Sequence, residues 1–163
     1  MKKLFIAMCM ALVGLCASAQ EKGQFAVGLN AGYAPSMDSK TKVSNAFIGV
    51  KAQYNLSDPF RLEAAFNYGF EDKKVAIMDY AVNAHYIFKV SEKINIYPLV
   101  GVGAATAKID VPGADGETKF MINAGAGAEY NISEKFAIGL EVKYQYIDKF
   151  SRLPFNLGVT YRF

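Results

Sequence analysis

From residue 24 to residue 163 the chain alternates apolar and polar positions, and turn-forming residues cut the alternation into eight runs. The runs span 24–33, 45–54, 60–69, 75–88, 94–107, 120–130, 136–147 and 153–163. Side chains on a strand point to opposite faces with period two, so each run is a predicted strand with one apolar face. In the last run that face carries Leu153, Phe155, Leu157, Val159, Tyr161 and Phe163, and the other carries Pro154, Asn156, Gly158, Thr160 and Arg162. As a free edge in water such a strand would invite aggregation. In a closed barrel in lipid it pairs with the first strand and has no edge.

None of the eight apolar faces carries a charge. Phe25, Val27, Leu29, Ala31 and Tyr33 form the first; Phe136, Ile138, Leu140, Val142, Tyr144 and Tyr146 form the seventh. Opposite them lie residues such as Gly49, Lys51 and Gln53, or Arg61, Glu63, Ala65 and Asn67. A soluble barrel or sandwich could pack the apolar faces inward, but its outer face would need charge, and charge is sparse on both faces here. Lipid-out and polar-in is the pattern of a membrane barrel. The predicted fold is all-β, an eight-stranded antiparallel up-and-down transmembrane β-barrel.

Three short turns echo one another. Tyr54, Asn55, Leu56, Ser57, Asp58 is matched by Phe88, Lys89, Val90, Ser91, Glu92 and by Tyr130, Asn131, Ile132, Ser133, Glu134. The repeat marks one rim, with aromatic rings at headgroup level. If Tyr54 pairs with Phe60, then Lys51 faces Glu63 and Gln53 faces Arg61. The same reasoning puts His85, the sole histidine, opposite Tyr97. Both chain ends and the echoed turns are expected on the periplasmic side, with the loops at 34–44, 70–74, 108–119 and 148–152 facing outward.

Eight charges fall on inward positions: Lys51, Arg61, Lys143 and Arg162 against Glu63, Asp79, Glu129 and Glu141. Four bases balance four acids. Buried charges are expensive unless paired, so this balance predicts a filled polar lumen, whereas a selective pore more often shows one sign in excess. Gly101, Gly103, Gly125 and Gly127 lie on inward faces and are read as space for larger inward side chains. Asp110, Asp115 and Glu117 could be weighed as calcium ligands, but the PGADG run between them reads as a turn, and no metal or cofactor is predicted.

Residues 1–19 have the form of a secretory signal peptide: Lys2 and Lys3, an apolar run from Leu4 to Cys16, then Ala17, Ser18 and Ala19. Removing them leaves 163 − 19 = 144 residues, which form one barrel domain from residue 20 to residue 163, and a net charge of +3 − 2 = +1. That charge gives no reason to expect nucleic acid as a partner. Both cysteines go with the leader, so burial and strand pairing alone must hold the fold.

With its leader, eight alternating strands, echoed turns and terminal Tyr161-Arg162-Phe163, the chain resembles the small eight-stranded outer-membrane β-barrel superfamily. It is similar to the OmpX and OmpA-type transmembrane domains, over nearly the whole mature chain. It lacks tryptophan, so tyrosine and phenylalanine must form the girdles. The resemblance implies an integral protein of the bacterial outer membrane, with outer-membrane lipid and the barrel-assembly machinery as partners and Tyr161 and Phe163 as the assembly signal. A monomer with a structural or surface-interaction role and no catalysis is expected; the alternative is a narrow porin-like channel for small solutes or ions. Some members of this architecture are lipid-A acyltransferases or deacylases, but His85, pointing into the lumen, is out of reach of lipid.

Overall fold

A computed structural model describes residues 22–38, 44–72, 75–109, 116–148 and 150–163. The leader, Asp110 and Asp115 lie outside the described residues. Ten β-segments follow in order: β1 (Phe25–Ala34), β2 (Asn45–Asn55), β3 (Phe60–Asp72), β4 (Val75–Tyr86), β5 (Phe88–Lys89), β6 (Ile94–Ile109), β7 (Glu117–Asn131), β8 (Phe136–Ile147), β9 (Phe150–Arg152) and β10 (Phe155–Arg162).

The segments make eight staves of one closed antiparallel barrel. β5 continues β4 in the same register against β6, and β9 and β10 share one register against β8. The second break falls at Pro154, which has no N–H to give a ladder. Its carbonyl still accepts from Lys143 N at 3.0 Å, while Leu153 N donates to Pro35 O at 3.0 Å. β1 pairs β10 from Ala26↔Arg162 to Tyr33↔Phe155, which closes the cylinder.

Hydrogen-bonded partners traced once round the wall from Phe120 arrive at Ile138 on β8, whereas Phe120 itself lies level with Asp148 in the β7–β8 register. The stagger is therefore 148 − 138 = 10 residues. With standard strand spacings this sets a tilt of about 40° and a backbone diameter of about 16 Å, a bore that inward side chains fill.

Burial follows the alternation. β8 reads exposed and buried in turn from Phe136 to Ile147, and the outward side chains are large and bare, with Leu29 69%, Val100 63% and Leu140 62% exposed. At the end carrying both chain termini, rings form a girdle: Phe60 stands edge-on to Tyr86 at 5.0 Å, and Tyr161 to Phe163 at 5.1 Å.

The echoed turns are one structure made three times. Leu56, Val90 and Ile132 each donate N–H to the carbonyl of Phe60, Ile94 and Phe136 at 2.9 Å, and the following serine N–H bonds the same oxygen. The aliphatic residue, not the aromatic one before it, closes the turn. This moves the register by two residues from the expected one: Tyr54 lies opposite Leu62, Gln53 opposite Glu63, Lys51 opposite Ala65, and His85 opposite Leu99.

Two further expectations are corrected. Arg152 is not part of an outer loop: β9 extends the last stave, and Arg152 points inward, 2% exposed. Nor is the lumen polar throughout. Ile77, Ala81, Ala105, Met121 and Ile147 pack together inside the loop end, with Val75 and Phe150 against them.

Candidate functional site

The lumen is built by the inward face of every stave, and its polar side chains bond along a stave (Lys143–Glu141), to the next stave (Gln53–Glu63) and across the bore (Arg61–Glu129, Arg152–Asp79). Starting at the terminus end, Glu129 takes Arg61 Nη1 at 3.1 Å on one oxygen and Arg162 Nη2 on the other. Arg61 also donates from Nε and Nη2 to His85 Nδ1, at 3.2 and 3.1 Å, and lies 4.9 Å over the Tyr97 ring. His85 stacks on Tyr97 with centroids 4.7 Å apart. These two rings touch although the ladder does not set them opposite.

One layer further in, Glu63 accepts from Gln53 at 2.8 Å and from Asn83 at 3.1 Å, with Lys51 Nζ 3.8 Å away on the diagonal. Glu141 accepts from Lys143 at 2.8 Å, Asn156 at 3.2 Å and the Tyr97 hydroxyl at 3.2 Å. Asparagines then bridge over one intervening stave: Asn30 donates to Asn67 at 2.8 Å and Asn123 to Asn83 at 3.0 Å. Towards the loop end Asp79 takes Asn67 at 2.8 Å and Arg152 at 2.6 Å, and Arg152 Nε reaches Gln145 at 2.7 Å.

All eight charges singled out from the sequence thus face the lumen, and Arg152 joins them. Its even number matches the inward Asn156, Thr160 and Arg162, so the alternation extended two residues past Pro154 would have found it. Gly127 serves as space, since a Cβ there would overlap the Tyr97 ring, while Gly103 and Gly125 face the neighbouring backbone instead. Glu117 lies on β7 and pairs with Lys119 at 3.4 Å.

Glu63, His85 and Glu141 place one ligand-type atom each within 4.8 Å of one another. The donor set does not suit a metal. Arg61 donates to Nδ1, which leaves the ring proton on Nε2, so the atom facing the carboxylates is itself a donor. Lys51 and Lys143 already offset both acids. His85 Nε2 lies 3.7 Å from Glu63 Oε1, too far for a hydrogen bond, and this buried atom has no hydrogen-bond partner among the described residues.

Two spaces are found in the bore among the described residues. An internal cavity of about 10 Å³ lies among Asn30, Glu63, Tyr97, Glu141 and Lys143, which is at the threshold for one water molecule. A larger vestibule of about 340 Å³ opens at the terminus end, above Arg61 and Glu129.

A closed eight-stave barrel with a bare apolar belt and a polar, cross-bonded bore defines a small membrane-spanning β-barrel. The chain belongs to the family described as the outer membrane protein beta-barrel domain, whose model matches residues 5–163. Among curated proteins it is similar to the attachment invasion locus protein of Yersinia pseudotuberculosis, 29% identical over 86 residues, or 52% of this chain and 47% of that one. The chain thus spans about half the length of the curated relative it matches. Among solved structures, neisserial surface protein A superimposes with a TM-score of 0.77 at 16% identity, covering 85% of this chain and 97% of that one. The N-terminal barrel domain of Pseudomonas aeruginosa OprF gives 0.63 at 23% identity, covering 87% and 100%. Likenesses at these identities speak for the fold.

Proposed function

We propose that this chain is a bacterial outer-membrane barrel with a structural or surface-interaction role, a non-conducting lumen and no catalysis. The observation that carries this reading is the filled bore. The ion pairs Arg61–Glu129 and Arg152–Asp79 cross it, carboxamides bridge over an intervening stave, an apolar layer of Ile77, Met121 and Ile147 follows, and the internal cavity is about 10 Å³. Layers of this kind oppose a continuous water path, which supports reading the charges Lys51, Arg61, Glu63, Asp79, Glu129, Glu141, Lys143 and Arg162 as a structural network. Against catalysis, His85 faces Arg61 and stacks on Tyr97, with no hydroxyl nucleophile bonded to it among the described residues. The names of the similar proteins, an attachment protein and a surface protein, support a role carried by the outer loops. Outer-membrane lipid and the barrel-assembly machinery are its partners, Tyr161 and Phe163 its assembly signal, and it acts as a monomer.

The test is single-channel recording of the refolded barrel in a planar bilayer, beside a variant with Arg61 and Lys143 replaced by Ala. Protein shown to be folded and inserted should be silent. Steady conductance that changes in the variant would establish the narrow channel instead.

A further inference from the structure

Positive charge is not compensated evenly along the bore. Arg152 is matched by Asp79, Lys143 by Glu141 and Lys51 by Glu63, one base to one acid. At the terminus end two guanidiniums, Arg61 and Arg162, share the single carboxylate of Glu129. His85 beside them accepts from Arg61 and supplies no negative charge. Among the inward side chains one positive charge is therefore left over, at the floor of the vestibule, while over the whole lining Arg61, Arg162 and Lys89 are balanced by Glu129 and, nearer the mouth, Asp58 and Glu92.

The vestibule has the volume of a small-molecule site and a lining that is almost wholly polar. Its volume is about 340 Å³, and the carboxamides of Asn55, Asn95 and Asn131 stand around Arg61, Glu129 and Arg162. Arg61 and Glu129 are 5% and 4% exposed, so the floor is fixed by the barrel wall. Arg162 gives Nη2 to Glu129 and to Asn131, and its Nε and Nη1 have no partner among the described residues. A planar fork with free donors is matched to a carboxylate or phosphate. At the mouth the exposed Lys89 and Asp58 pair at 2.9 Å, and exposed Glu92 is screened by water.

We propose that the floor of this vestibule binds the carboxylate or phosphate group of a small soluble anion, held by Arg162 and Arg61 with the carboxamides as flanking donors. The source is soluble rather than a lipid headgroup, because the vestibule opens along the barrel axis and the ring girdle of Phe60, Tyr86, Phe136 and Tyr161 stands between it and the bilayer. The same layer that closes the bore makes this a blind site, entered and left by one mouth.

The experiment follows the arginine Nε–H signals of the refolded full barrel, in zwitterionic micelles at constant ionic strength, during titration with sodium acetate and, separately, sodium phosphate. Saturating shifts of Arg162 and Arg61 are expected with at least one of the two anions, and the responding anion names the preferred group. Replacing Arg162→Gln should weaken binding about tenfold or more, while Glu129→Gln, which removes the competing carboxylate, should tighten it by about tenfold. Folding of each variant is checked by heat-modifiable gel mobility; should either fail, Asn131→Asp keeps both guanidiniums and should weaken binding by adding an acid beside them. Shifts that never saturate, constants unchanged in the folded variants, or a response to phosphatidylglycerol added to the micelle but to neither soluble anion would overturn the proposal.

Discussion

Arg152 and Asp79 meet at 2.6 Å from staves that stand diametrically opposite in the barrel, β9–β10 on one side and β4 on the other. Each is at most a few per cent exposed, so the pair is a strut across the full bore. Removing one partner leaves a buried charge unmatched. Asp79→Ala should therefore destabilise the barrel by about 3–5 kcal/mol, and Asp79→Leu combined with Arg152→Met should recover most of that loss. Urea unfolding in lipid vesicles measures both.

The outward belt carries a prediction of opposite kind. Val100 is 63% exposed near the middle of β6. If that surface meets hydrocarbon, Val100→Arg should cost about 2–4 kcal/mol in the same vesicle assay. A cost near zero would mean that the belt faces water.

Gly127 gives its Cβ space to the Tyr97 ring, which in turn stacks on His85. Gly127→Ala should displace the ring and destabilise by about 1–3 kcal/mol. The displacement is visible as loss of ring-current shifts on the His85 signals; an unchanged His85 spectrum would mean that the stack absorbs the extra methyl.

Phe163 packs beside Tyr161, and its N–H bonds Phe25 O at 3.0 Å. Packing is separable from the proposed recognition of Phe163 by the assembly machinery. Deleting Phe163 should lower the amount of inserted barrel in cells several-fold while leaving refolding of the purified chain into detergent nearly intact. Equal losses in both settings would make the residue structural alone.

Eight staves, their faces and the inward charges were legible because period-two alternation is strict wherever one face meets lipid and the other a narrow bore. Register was harder. It depends on which residue closes each turn, and Leu56, Val90 and Ile132 do so where Tyr54, Phe88 and Tyr130 were expected. Arg152 is missed when the last run is begun at Leu153 and residues 148–152 are given to an outer loop, although the stave starts earlier, at β9. The apolar layer escaped notice because Ile77, Met121 and Ile147 sit on faces otherwise defined by polar residues, and nothing local distinguishes a plugged end from an open one. The vestibule and the two-to-one sharing of Glu129 rest on contacts across several staves, so no single strand announces them.

Closure of the barrel by β1 against β10 has a consequence in time. Ala26 and Arg162 are partners although 162 − 26 = 136 residues separate them along the chain. A partial barrel would expose an unpaired edge at both sides, in a solvent that offers no hydrogen bonds. The seam is also the most non-local contact in the wall, so the loop-closure entropy of that whole span must be met before it forms. Folding of this molecule should accordingly wait for its last strand to arrive, and a chain halted anywhere short of β10 has no stable intermediate shape in which to rest.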